Sequence, residues 1–287
     1  MTRSSGPSSK PATQRPSAGS SGLVAVLGLL AVLMLMPFVV VALNAVKTPQ
    51  EYGANGPLAL PHGISLAGLR EFWERVGFGQ KLLNSLLIST GVAIGAVLLS
   101  LFNAFALGVG RVRGRTWLLI LFISAATLPQ EALVYPLYYL AKQVDLYDTR
   151  ISVVIVFTVL QSAFGTYLLA SVLGQFPAEI LDAARIDGVN SWQLLWRVVV
   201  PISRPTLGVL VVFFFIWTWN EFFLPLVLLI SNDNQTVSVA LGVLQGQRLM
   251  DATMTNASAL LGVLPAIVFF LIFSRTLTRG VTVGAVK

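Results

Sequence analysis

The stretch "LDAARIDGVNSWQLLWRVVVPISRP" spans Leu181–Pro205. It places Asp182, Arg185 and Asp187 within six residues, then Gly188, then Trp192 and Trp196. Long runs of Leu, Val and Phe lie on both sides. Charge at this density between apolar runs marks a segment that meets water, and it divides the chain around it into spans and connections.

The surrounding composition agrees. The chain has 287 residues, 55% of them hydrophobic and 11% charged, with a mean hydropathy of +0.80. Soluble domains carry roughly 25% charged residues. A polytopic membrane protein is the class that fits, with lipid supplying part of the burial. Net charge is +7, but the basic residues sit in short segments between apolar runs. A topology signal accounts for them, and no nucleic-acid partner is expected. There is no cysteine, which excludes disulfides, thiolate metal sites and a cysteine nucleophile. The single histidine, His62, lies between Pro61 and Gly63 and reads as a solvated turn residue.

Six apolar runs have the length needed to cross a bilayer, about 20 residues each. They are Leu23–Leu43, Leu82–Val109, Trp117–Leu140, Ile151–Leu173, Leu207–Ile230 and Ala257–Phe273. The expected fold class is therefore an all-α membrane protein of six transmembrane helices, residues 23–287. Its main cytoplasmic loop, about 174–205, joins spans four and five. Residues 1–22, rich in Ser, Gly and Pro, are expected to form a disordered cytoplasmic tail. Pro37, Pro129, Pro136, Pro225 and Pro265 fall inside the runs and predict kinks.

Lys and Arg set the expected orientation. With the N-terminus inside, the inner segments hold Arg3, Lys10, Arg15, Arg111, Arg113, Arg115, Arg185, Arg197, Arg204, Arg275, Arg279 and Lys287. The outer ones hold Lys47, Arg70, Arg75, Lys81, Lys142, Arg150 and Arg248. This bias predicts both termini in the cytoplasm of a cell-membrane protein. "GRVRGR" at Gly110–Arg115 reads as a positive-inside anchor. In the long outer loop, "SLAGLREFWERVG" predicts an amphipathic helix, either on the membrane surface or capping the bundle.

Within the opening segment the local signals are specific. Pro177 suits a first helical turn, Glu179 and Asp182 sit where the helix dipole favours acids, and Asp182 can pair with Arg185 at i, i+3. Gly188 predicts a left-handed helix stop, and Asn190–Gln193 resembles a capping box for a second short helix. Pro201 and Pro205 are expected to punctuate the return into the membrane. Ala183 and Ala184 predict a small, smooth face flanked by charge. Such a face fits a groove on a soluble partner; the other reading is a helix lying on lipid, where Glu179, Asp182 and Asp187 would meet an anionic leaflet unfavourably.

Asp182-Ala183-Ala184, Asp187-Gly188 and Pro201, thirteen residues beyond the glycine, resemble the coupling motif of binding-protein-dependent ABC import permeases. The leading acid is aspartate where that family carries glutamate. "NSLLIS" at Asn84–Ser89, "PLYYLAKQVDLYDT" at Pro136–Thr149, "WTWNEFFLPLVLL" at Trp217–Leu229 and the terminal "RGVTVGAVK" are similar to the carbohydrate-importing branch, most of all its maltose-type second permease. The resemblance implies a second permease subunit, two ATP-hydrolysing subunits that hold ATP and Mg, and an extracytoplasmic solute-binding protein. It implies that Glu179, Asp182, Ala183, Ala184, Arg185, Asp187, Gly188 and Pro201 take part in coupling to an ATPase cleft. No cofactor is expected in this chain, which has no G-x-x-x-x-G-K-[ST] loop, and no enzymatic activity of its own is expected.

For the pathway, Glu221 beside Asn220 is the acid placed deepest in an apolar run, and Trp217 and Trp219 offer ring faces suited to sugars. The alternatives are tryptophans that pack the core and a glutamate bonded to a neighbouring helix. Gln130 and Glu131 either line an outer vestibule or satisfy the kink at Pro129. An ion-gradient-driven secondary transporter is the competing class; it would need no motif at Asp182–Pro201.

Overall fold

The computed structural model describes residues 18–110, 112–246 and 251–285, with side chains placed except at 18–21, 178, 185, 244–246 and 274–285. Two helices form its centre, α4 (Phe78–Gly108) and α7 (Arg150–Leu173). Small residues bring them together. A Cβ on Gly165 would meet Ser100 Oγ at 2.3 Å, and one on Gly95 would meet Thr158 Oγ1 at 2.9 Å. In lipid no hydrophobic drive pulls helices together, so close backbone approach and cross-helix hydrogen bonds do that work. Here Ser100 Oγ donates to Ser162 O at 3.2 Å, and the Asn103 amide donates to Thr166 Oγ1 at 3.3 Å.

Around this pair, in chain order, lie α1 (Ala18–Ala45), α2 (Pro49–Asn55), α3 (Ala67–Val76), α5 (Arg115–Ala126), α6 (Gln130–Gln143), α8 (Ala178–Ile186), α9 (Ser191–Leu194), α10 (Val200–Asn220), α11 (Phe223–Leu228), α12 (Val237–Gly246) and α13 (Ala252–Ala285). Five helical stretches are long and apolar enough to cross a membrane, and α5 with α6 makes a sixth if that bent pair is one span. The six-span expectation holds in this form. α1 begins at Ala18, inside the stretch expected as tail; residues 1–17 lie outside the described residues.

The spans depart from simple rods at prolines. α5 and α6 meet at 92° across the break before Gln130. In a continuous helix the Pro129 ring would strike the carbonyl of Ala125, and Leu128 before it is pushed toward extended backbone. Span five breaks for the same reason. Pro225 would clash with the carbonyl of Glu221, and Glu221 leaves the helix with ψ 132° before α11 begins. Pro37, Pro136 and Pro265, by contrast, sit inside unbroken helices.

Pro201 and Pro205, expected to punctuate the return into the membrane, sit in the first turns of α10 without breaking the span. Ser191–Asn220 runs as one helical span. A π turn at Leu195–Val199 precedes Pro201, with Val200 N–H bonded to Leu195 O. The extra residue in that turn relieves the crowding of the proline ring against the preceding turn.

At the other end of the bundle, α3 buries Phe72 and Val76 against Phe78, Val237, Ala240 and Met254. A Cβ on Gly68 would lie in ordinary contact with the Thr253 backbone, 3.7 Å from its carbonyl oxygen. Of the two expected roles, α3 caps the bundle. Beside it the α11–α12 connection is tied down by side chains of α4 and of the segment before α7, with Arg150 bracing Asn84. Asn84 Nδ2 donates to Asp233 O at 2.7 Å and Gln235 O at 2.9 Å, Arg150 donates to Asn84 Oδ1 at 3.1 Å, and Lys81 Nζ donates to Asn232 O. Asp148, held at φ 58°, accepts from the N–H and the hydroxyl of Ser231.

Candidate coupling loop and translocation face

The loop between spans four and five leaves α7 at Gly174. Ile180 N–H bonds to Pro177 O at 3.2 Å, so Pro177 stands just before α8, where its missing donor costs nothing. At the far end, Val189 N–H reaches back to Ala184 O at 3.1 Å around Gly188, whose φ is +73°. This is the six-to-one bond of a Schellman stop. Asn190 then caps α9 reciprocally: Gln193 N–H donates to Asn190 Oδ1 at 2.9 Å, and Asn190 N–H donates to Gln193 Oε1 at 3.1 Å. Both sequence signals are realised, but α9 opens directly into span five.

α8 has two faces. Leu181 and Ala184 join Phe176 and Val189 against the core formed by α4, α7 and α10. Glu179, Asp182, Ala183 and Asp187 are exposed, and so is Ile186 at 86%. The expectation of a face shared by Ala183 and Ala184 is therefore divided, because Ala184 turns inward and is 8% exposed. The helical period explains this: Leu181 and Ala184 are three apart and share one side, while Ala183 looks outward. The Arg185 side chain lies outside the described residues, so its pairing with Asp182 is not described. Gly188 is exposed, and Pro201 is exposed in the first turn of α10, remote from any break.

Two anchors of this loop went unread in the sequence. Trp192 stacks on Phe102 of α4, with ring centroids 6.3 Å apart and planes 16° apart, and packs edge-on to Trp196 at 5.6 Å. Arg115, at the start of α5, donates to Ala170 O near the end of α7 at 3.4 Å. The indole pair was visible as a pair, but its partner in α4 is ninety residues away.

The pathway candidates gather at the opposite half of α10. A cleft of about 480 Å³ is lined by Val209, Val212, Phe213, Ile216, Trp217, Asn220 and Glu221 with Phe270 of α13. Trp217 is half-buried and lines it, whereas Trp219 is buried against Phe215, centroids 5.8 Å apart. The two tryptophans thus divide between cleft and core. The Asn220 amide donates to Ile216 O at 2.7 Å, leaving its carbonyl oxygen as an acceptor. Glu221 is half-buried at the helix break, and Glu131 at the head of α6 lies close enough to act on it electrostatically. The prolines at both breaks thus bring one carboxylate from span three near one from span five. Among the residues lining the cleft, Glu221 is the sole charged one.

The described helices form a multi-pass membrane bundle with a structured amphipathic loop between the fourth and fifth spans. Residues 96–279 match the family described as "Binding-protein-dependent transport system inner membrane component". The chain belongs to that family. It is 31% identical over 228 residues to the ABC transporter permease protein ORF1 of Streptomyces antibioticus, covering 79% of this chain and 100% of that one. It is 23% identical over 265 residues to the diacetylchitobiose uptake system permease protein NgcG of Streptomyces coelicolor, covering 92% of this chain and 87% of that one. In fold it is similar to a chain of a bacterial ABC transporter involved in import of the acidic polysaccharide alginate. The TM-score is 0.79 at 20% identity, over 92% of this chain and 99% of that chain.

Proposed function

We infer that this chain is the membrane-spanning permease subunit of an ATP-driven ABC importer and translocates a sugar or a related polyol. Family membership carries the transporter class. Relatives named for diacetylchitobiose and for melibiose, raffinose and stachyose support the sugar class of cargo.

The single observation that carries the mechanism is α8: a capped helix seated on the core by Leu181 and Ala184, with Glu179, Asp182 and Asp187 turned outward. In this reading α8 docks in a cleft of an ATPase subunit, and ATP and Mg are held by two such subunits outside this chain. A second permease completes the pathway, and an extracytoplasmic solute-binding protein delivers cargo to the end capped by α3. α8 and both termini then face the cytoplasm. Trp217, Asn220 and Glu221 contact the cargo, the ring by stacking and the amide and carboxylate by accepting hydroxyl hydrogen bonds.

The test is deletion of residues 176–196 in the complete transporter reconstituted in vesicles. ATP-dependent sugar import is expected to vanish. Import persisting at wild-type rate would overturn the reading.

A further inference from the structure

We propose that Arg115 is a positioning residue that couples α8 to α5, so that displacement of the coupling loop is passed to the bent span α5–α6. The proposal rests on the ATP-driven reading given above.

Arg113 and Arg115 are alike in sequence, two basic residues of one short connection. The structure separates them: Arg113 is exposed, while Arg115 is half-buried. Arg115 also stands at the first position of α5, where the dipole of its own helix disfavours a cation. A different cause must hold it there. Its guanidinium lies against the last turn of α7, where the dipole favours positive charge. Nη2 donates to Ala170 O at 3.4 Å, the same oxygen that accepts from Gly174 N–H at 3.0 Å.

Gly174 is the residue that admits it. A Cβ built there would meet Arg115 Nη2 at 2.3 Å and Cζ at 3.3 Å. The guanidinium therefore occupies the place of a side chain at the first residue of the coupling loop. The approach is tight on the α4 side as well, since a Cβ on Gly108 would meet Leu173 Cβ at 2.7 Å. The end of α7 is held between α4 and Arg115.

Apolar contacts continue from this point in both directions. Phe176, Leu181 and Ala184 of the loop and Leu118, Leu119 and Phe122 of α5 pack into one core cluster with Ala170 and Leu173. Packed interiors transmit displacement and deform little. A push on α8 moves the end of α7, and Arg115 carries it to α5. Beyond the 92° break, α6 brings Glu131 toward Glu221. The contact thus links the coupling loop to the bent span whose far half carries Glu131.

The experiment compares Arg115→Ala, Arg115→Lys and Gly174→Ala in the complete reconstituted transporter. It reads sugar imported per ATP hydrolysed, with the amount of assembled complex measured separately. Arg115→Ala is expected to lower that ratio by about tenfold at normal assembly, the scale of one lost charge-assisted contact at a helix C-terminus. Arg115→Lys keeps the charge that sets topology but lacks the planar fork, so it is expected to insert normally and leave the ratio low. Gly174→Ala keeps the arginine and crowds it, and is expected to lower the ratio as well. Full recovery with Lys would show that only charge matters and would overturn the proposal. So would an unchanged ratio in Arg115→Ala, or losses in all three variants that track the amount of assembled complex. Wild-type import that needs no ATP would remove the ATP-driven reading, and the proposal with it.

Discussion

The carbonyl of Ala184 accepts the backbone N–H of Val189 at 3.1 Å, closing the end of α8 around Gly188 at φ +73°. Both residues also pack into the same core cluster. The bond and the burial hold α8 at a defined angle to span five. Gly188 has open space around it, so a side chain there would meet no neighbour. Substitution costs backbone strain alone, roughly 1–2 kcal/mol for an L-residue held left-handed and more for a β-branched one. Gly188→Val is expected to leave insertion and assembly near normal while import per ATP falls severalfold. Equal import ratios for variant and wild type would show that the turn is dispensable.

A second prediction concerns the buried polar link between spans four and five. Gln161 Nε2 donates to Thr218 Oγ1 at 2.9 Å with both side chains buried, and among the described residues Gln161 Oε1 has no hydrogen-bond partner. Thr218→Val strands the amide donor and is expected to cost about 1–2 kcal/mol. Thr218→Val combined with Gln161→Leu removes both polar groups and is expected to recover most of that loss. Thermal unfolding of the purified protein in detergent, run as a double-mutant cycle, measures the coupling.

Asp148 makes stability depend on pH at the far end of the bundle. Burial opposes its charged form, but the hydroxyl and N–H of Ser231, together with Asn234, outweigh burial and hold the carboxyl below its ordinary range. A carboxyl held low in the folded state stabilises fully above the ordinary aspartate value, near 4. That contribution drains away as pH falls through the lower folded value. Asp148→Asn is expected to lower the melting temperature at neutral pH and to flatten its decline toward pH 3. Asparagine tolerates the φ of 58° at this position, so backbone strain is not introduced. An unchanged acid profile would remove Asp148 as the sensor.

For the cleft, Glu221→Gln keeps size and hydrogen-bonding reach but removes the charge. Import with an altered KM, at normal assembly, is the expected outcome if the carboxylate meets cargo. A variant with wild-type kinetics would assign Glu221 to helix packing.

Much of this protein was legible in one dimension. The apolar runs announced the spans, because crossing a bilayer demands consecutive apolar length whatever the partners. Gly188 and the Asn190–Gln193 box were readable because caps and stops are local chemistry, completed within a few residues. Prolines were harder. Pro129 and Pro225 break their spans, while Pro37, Pro136 and Pro265 do not, and sequence alone predicts the same kink for all five. Pro201 shows the third outcome, a π turn that keeps the helix going.

The sequence by itself determined the membrane class, the number of spans, and the position of the loop between the fourth and fifth, since hydrophobic length and local capping need no distant partner. Only the tertiary structure decided which side chains of that loop face inward. It turned Ala184 to the core and left Ala183 outside, divided Trp217 from Trp219, and set Arg115 against Gly174. Each of these depends on a neighbour brought close by helix packing, and small residues at Gly108, Gly165 and Gly174 set how close that neighbour comes.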